Sequence, residues 1–153
     1  MLIGLVLAAE IAAAPQQSLW AEIWIDDTRG SKIVIDVFQP VARVAIDPNT
    51  AAVTVRRTET FANLPPKITW TGSGDCPGLR QSLDAIEKVA LRDFTIAETM
   101  KGPAGPPPLH RPTAKVVINS ATLPIVEGSE LGAWLQGVLD TSSRCWKPGR
   151  PKD

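Results

Sequence analysis

The chain contains no tyrosine, a single histidine and only two cysteines among its 153 residues, and its sixteen basic side chains balance sixteen acidic ones. Each shortage removes a class of function. With one histidine and no clustered ligand spacing, zinc sites have no support, and the acids near the turns read as ordinary turn residues, so no metal and no cofactor is expected. With no net charge, nothing in the summed field draws the chain to nucleic acid or to an anionic membrane surface. No apolar run reaches the length of a membrane-spanning helix, so no integral span is expected in the mature chain. No Cys-x-x-C pair, P-loop lysine or nucleophile elbow is present.

What is present begins with an apolar segment. Residues 1–14 are almost wholly hydrophobic and end in Ala12, Ala13 and Ala14 before Pro15. Such a segment resembles a secretory signal peptide, although no lysine or arginine precedes it and Glu10 interrupts it. The competing reading is a buried N-terminal element. On the leader reading the chain divides into a signal peptide over 1–14, one α+β domain over 15–146 and a flexible tail over 147–153, and it is periplasmic or secreted. Lys147, Arg150 and Lys152 sit among prolines in that tail.

From Leu19 to Trp70 apolar residues recur with period two, broken by turn-forming clusters, as in successive antiparallel strands. Leu19–Asp26 puts Leu19, Ala21, Ile23 and Ile25 on one side and Trp20, Glu22, Trp24 and Asp26 on the other. Lys32–Phe38, Val41–Asp47, Ala51–Thr58 and Lys67–Thr71 follow as strands, with a turn at Asp47-Pro48-Asn49-Thr50. The character changes at Gly72. Leu79, Leu83, Ile86 and Ala90 fall at helical spacing, with Pro77 suited to a first helical position and Cys76 beside the N-cap. Beyond a brief strand at Arg92–Ile96 and a proline-rich loop over Gly102–Pro112, Thr113–Asn119 reads as a strand with Leu123–Val126 as its partner. Ser129 caps a second helix carrying the stripe Leu131, Trp134, Leu135, Val138 and Leu139. Strands first and helices later favour an α+β fold: an antiparallel meander of about five to seven strands with two helices packed on one face.

Several residues invite a chemical reading. Cys76 and Cys145, an even pair in a chain read as exported, are expected to form one structural disulfide clamping both helices to the sheet. The alternative is a reactive Cys76 thiolate at a helix N-terminus. Gly72-Ser73-Gly74-Asp75 is weakly like an anion-cradling loop, but a tight strand-to-helix connection explains its glycines. His110 lies in the proline-rich loop as a turn residue. Trp20 and Trp24, with Glu22 and Asp26, form a candidate binding face able to stack on a sugar or hold a partner's cationic side chain. The bland alternative is a covered face or one that packs at a dimer interface.

Cys76-Pro77-Gly78-Leu79, Leu83, Ile86-Glu87, Gly128-Ser129, Leu131, Trp134 and Cys145-Trp146 give the C-terminal half a resemblance to a group of small, uncharacterised exported proteobacterial proteins. The resemblance implies an exported, disulfide-bearing domain and carries over no catalytic residue. The resulting expectation is a non-catalytic binding or accessory protein of the bacterial envelope, of inhibitor or immunity type, with a protein or saccharide as partner. The alternative is a small envelope hydrolase whose acidic residues converge only in space.

Overall fold

The computed structural model describes residues 17–26, 30–40, 52–86, 88–89 and 114–151. Among the described residues six strands form one antiparallel sheet: β1 (Gln17–Asp26), β2 (Lys32–Pro40), β3 (Thr54–Thr60), β4 (Lys67–Gly72), β5 (Ala114–Ile118) and β6 (Ala121–Ile125), in the spatial order β4-β3-β2-β1-β5-β6. The helices are α1, described over 79–86 and 88–89, and α2 (Glu130–Ser142). Leader residues 1–14, the strands expected at Val41–Asp47 and Arg92–Ile96, the turn at Asp47–Thr50, and the proline-rich loop with His110 lie outside the described residues.

The core forms where alternating strand residues meet the helical stripes. Ala21, Ile23, Ile35, Val37, Val55 and Val116 from the sheet pack with Leu79, Leu83 and Ile86 of α1 and Leu131, Trp134, Leu135 and Val138 of α2. Both helices therefore cover the same side of the sheet. A helix of thirteen residues is about 20 Å long, close to the ~24 Å width of six strands. Accordingly α2 leaves the β6 edge and delivers the chain to the opposite edge, where Trp70 of β4 and Lys147 exchange backbone hydrogen bonds of 2.7 and 2.8 Å.

Local chemistry sets the helix starts. Ser129 caps α2, its Oγ accepting from Gly132 N at 3.0 Å. A Cβ at Gly132 would lie 2.7 Å from the Val126 carbonyl oxygen, so only glycine permits this approach. For α1 the pattern points to a start at Pro77, but Gly78 has φ +83°, outside the helical region, and its carbonyl accepts the first helical bond from Ser82 N at 2.9 Å. Cys76 accordingly sits in the turn ahead of the helix.

Cys76 and Cys145 are disulfide-bonded, with Cα atoms 5.6 Å apart, tying the turn before α1 to the turn after α2. The two helices also touch directly: Trp134 Nε1 donates to the Ser82 carbonyl at 2.7 Å. In the segment expected as a tail, Lys147–Pro151 lie against the sheet. Besides the bridge to Trp70, Lys147 Nζ lies 3.0 Å from Asp75 Oδ1, Arg150 Nη2 donates to Gln17 Oε1 at 2.6 Å, and Pro151 sits 3.5 Å from the Cβ position of Gly72. β4 lies at the sheet edge, and the tail pairs with it at Trp70.

One irregularity reshapes the first strand. Leu19 pairs with Phe38 and Ala21 with Val37, leaving Trp20 as an extra residue bulged out of the ladder. Period-two counting puts Leu19 with Ala21 on the core side. The bulge instead turns Leu19 to the opposite face, where it is 52% exposed.

Candidate functional site

The face turned away from the helices is built row by row from the strand register. One row runs Trp70, Arg56, Asp36, Glu22, Val117, Thr122; the next runs Ile68, Thr58, Val34, Trp24, Lys115, Pro124. Trp24 is 36% exposed and Ile68 47%, so with Leu19 this side carries three accessible apolar groups.

At its centre Asp36 is only 4% exposed, an unusual depth for a carboxylate on this side of a sheet. Arg56 compensates it: Nε and Nη2 both reach Asp36 Oδ2, at 2.8 and 2.7 Å. Aromatic rings flank the guanidinium. Phe38 and Trp70 stack with centroids 6.3 Å apart, and Arg56 lies 5.7 and 5.8 Å from their centres. Arg150 reaches Trp70 from the tail at 5.6 Å. This half of the face is internally satisfied, its cations paired, stacked or hydrogen-bonded.

The other half differs. Glu22 stands directly across from Asp36 in the β1–β2 register, and its Oε1 accepts a hydrogen bond from Trp24 Nε1. Lys115 Nζ lies 4.9 Å from the Trp24 ring centre. Beside them a hollow of about 280 Å³ opens between β1 and the β5–β6 turn, lined among others by Leu19, Trp20, Glu22, Val117, Asn119 and Ser120. Trp20, the bulged residue, is half-buried against the core and forms one wall.

Of the residues singled out in the sequence, Trp20 and Glu22 thus meet at the hollow, and Trp24 joins them through its bond to Glu22. Asp26 does not take part; it ends β1 opposite Lys32. Cys76 and Cys145 lie on the helix side of the molecule, bridged to each other. The Gly72–Asp75 turn binds its own chain: Ser73 Oγ accepts from Val53 N at 3.0 Å, and Asp75 pairs with Lys147. Sequence reasoning passed over Asp36, Arg56, Lys115 and Asn119. Asp36 carried a signal, a carboxylate inside the β-branched run Ile33-Val34-Ile35-Asp36-Val37; the others become visible only once the strands are paired. Among the described residues, no three His, Cys, Asp or Glu side chains gather where they could hold a metal ion.

No protein-family model matches the chain, and neither a curated protein nor a solved structure matches it.

Proposed function

We propose that the chain is an exported, non-catalytic binding protein of the bacterial envelope, acting as an accessory, inhibitor or immunity-type partner through the surface around Glu22 and Trp24 and the hollow walled by Trp20. The observation that carries this reading is the division of the sheet. Both helices and the disulfide lie on one side, while the other keeps Leu19, Trp24 and Ile68 accessible beside a hollow containing a carboxylate. An accessible indole beside an oriented carboxylate is the kind of group enriched where protein surfaces meet. Export is supported by the Cys76–Cys145 bridge, which persists in oxidising compartments. No helix among the described residues is long and apolar enough to cross a membrane.

The hydrolase alternative draws on one specific observation, the cross-strand pair Glu22 and Asp36. Against it, Asp36 is buried and committed to Arg56, the arrangement of a structural ion pair. Two measurements test the proposal. Protein recovered from the periplasm should lack residues 1–14 and should be alkylated at Cys76 and Cys145 only after reduction. A photo-reactive side chain at position 24 should give a crosslinked adduct of defined mass that is lost on adding Glu22→Gln, whereas the same group at position 81 on α1 should give none. Turnover of cell-wall substrates by the purified protein, or equal crosslinking from both positions, would overturn it.

A further inference from the structure

We infer that the hollow between β1 and the β5–β6 turn takes a cationic side chain, a lysine or arginine of a protein partner, with Glu22 as its counter-charge and Trp20 as its wall. The inference rests on the reading of this face as the binding face and goes on to name what it binds.

Among the described residues, Glu22 is the one charged residue lining the hollow. It also lacks a counter-ion: among the described residues no cation pairs with it, and its contact there is the hydrogen bond from Trp24 Nε1 to Oε1. That bond orients the carboxylate along the strand and leaves Oε2 for a ligand. The neighbouring acid and base are both already engaged. Asp36, across the register, is neutralised by Arg56, and Lys115 rests on the Trp24 ring. A carboxylate oriented by a neutral donor, with its acid neighbour neutralised and no cation within ion-pair distance among the described residues, retains attraction for an incoming cation.

The walls suit the same guest. Trp20 offers an indole for the aliphatic stem or for cation–π contact, Leu19 and Val117 line the passage with apolar atoms, and Asn119 supplies an amide at the rim. Lysine and arginine combine an apolar stem with a charged head, and a hollow of about 280 Å³ accommodates one such side chain rather than a folded segment. A neutral saccharide would use the indole but would leave Glu22 without its charge partner, so the observations favour the cation. Asn119 and Ser120 both hold positive φ, at 49° and 68°, which fixes the turn that closes the hollow and preorganises it.

The test uses the full chain labelled with ¹⁵N, the indole N–H signals of Trp20 and Trp24 being read while three probes are added separately: an uncharged-ended Gly-Lys-Gly peptide, its norleucine counterpart, and chitobiose. The expected result is a shift of both indole signals with the lysine peptide alone, about tenfold or more weaker in Glu22→Gln and unchanged in Glu127→Gln. Norleucine and lysine peptides acting alike, or Glu22→Gln binding as well as the native chain, would overturn the cation assignment. Chitobiose shifting the same indoles in both proteins would overturn it too, while leaving the face itself as a binding surface. No shift with any probe would remove both the assignment and the reading on which it rests. Glu22→Gln keeps the acceptor for Trp24 Nε1, so an unchanged amide spectrum establishes that the variant is folded.

Discussion

Removing the Cys76–Cys145 bridge should cost the fold about 4 kcal/mol. The cysteines are 69 residues apart, and the chain-entropy model for closing such a loop gives that figure at 25 °C. Among the described residues the segment they enclose contains α1, β5, β6 and α2, so the bridge acts on elements whose contacts with the β1–β4 meander span long sequence separations. Urea unfolding of the oxidised protein against the Cys76→Ala/Cys145→Ala double variant measures the loss. Reduction of the native chain without mutation separates the bridge from the packing of the buried Cys76 side chain. For a domain of this size the loss corresponds to a midpoint lower by roughly 8–16 °C. A second consequence is local. Trp146 and Lys147 follow Cys145 directly, so the Trp70 and Lys147 amides, bonded across the β4 edge, should exchange with solvent faster once the bridge is gone. A loss below about 1 kcal/mol, with unchanged exchange at Trp70, would refute the reasoning and show that helix packing alone secures the C-terminal half.

Three further substitutions test smaller elements. Ser120 pays a left-handed backbone cost at φ 68° in the β5–β6 turn, so Ser120→Gly should raise stability by roughly 0.5–1 kcal/mol in the same urea assay. The two-residue turn closes on the hydrogen-bonded pair Ile118 and Ala121, and by alternation Pro124 opposite Lys115 turns its nitrogen outward from the sheet edge. Pro124→Thr would restore an outward N–H there and should produce concentration-dependent dimers by sedimentation, whereas a monomer at every concentration would show that proline is not what protects the edge. Trp134→Phe removes the bond to the Ser82 carbonyl and should cost about 1–2 kcal/mol in urea unfolding, with a change near zero counting against that bond as a link between the helices.

How much of this was legible in the sequence follows from the range of the forces concerned. The helical stripes and the alternating strands are local patterns, and within the described residues they appear as elements, while the cysteine pair appears as a bond because the chain offers each cysteine only one partner. Three features were hidden for distinct reasons. The bulge at Trp20 leaves the composition of β1 unchanged and exists only in its pairing with β2, so period-two counting misplaced Leu19. The β5–β6 turn is Asn119-Ser120, which lacks the Asn-Gly signature although its backbone is the same left-handed pair. The docked tail reads as solvated because its prolines and lysines are polar or helix-breaking, yet an unpaired β4 edge gives it a backbone partner that composition does not reveal. On the candidate face, Trp20, Glu22 and Trp24 were found because they share one strand. Asp36, Arg56, Lys115 and Asn119 come to them from other strands and turns, through pairing that the sequence alone does not specify.

The bulge itself supplies a way to separate what folds this protein from what it presents. β1 has ten residues facing nine of β2, and Trp20 is the one without a partner. Deleting Trp20 would leave Leu19 opposite Phe38 and Ala21 opposite Val37, now as consecutive residues on opposite faces, which is regular alternation. Gln17 would keep its place beside Thr54 and Arg150, and the pairing of β1 with β5 starts only at Ala21. The cost should therefore be confined to the packing of one half-buried indole, about 2 kcal/mol, where deletion of Ile23 would turn half a strand over and abolish folding. Urea unfolding and the amide spectrum measure both. A folded deletion variant that no longer responds to the lysine peptide would mean the extra residue is kept for the surface it builds. Loss of the fold would mean the bulge holds the sheet's curvature, and the hollow would then be a by-product of it.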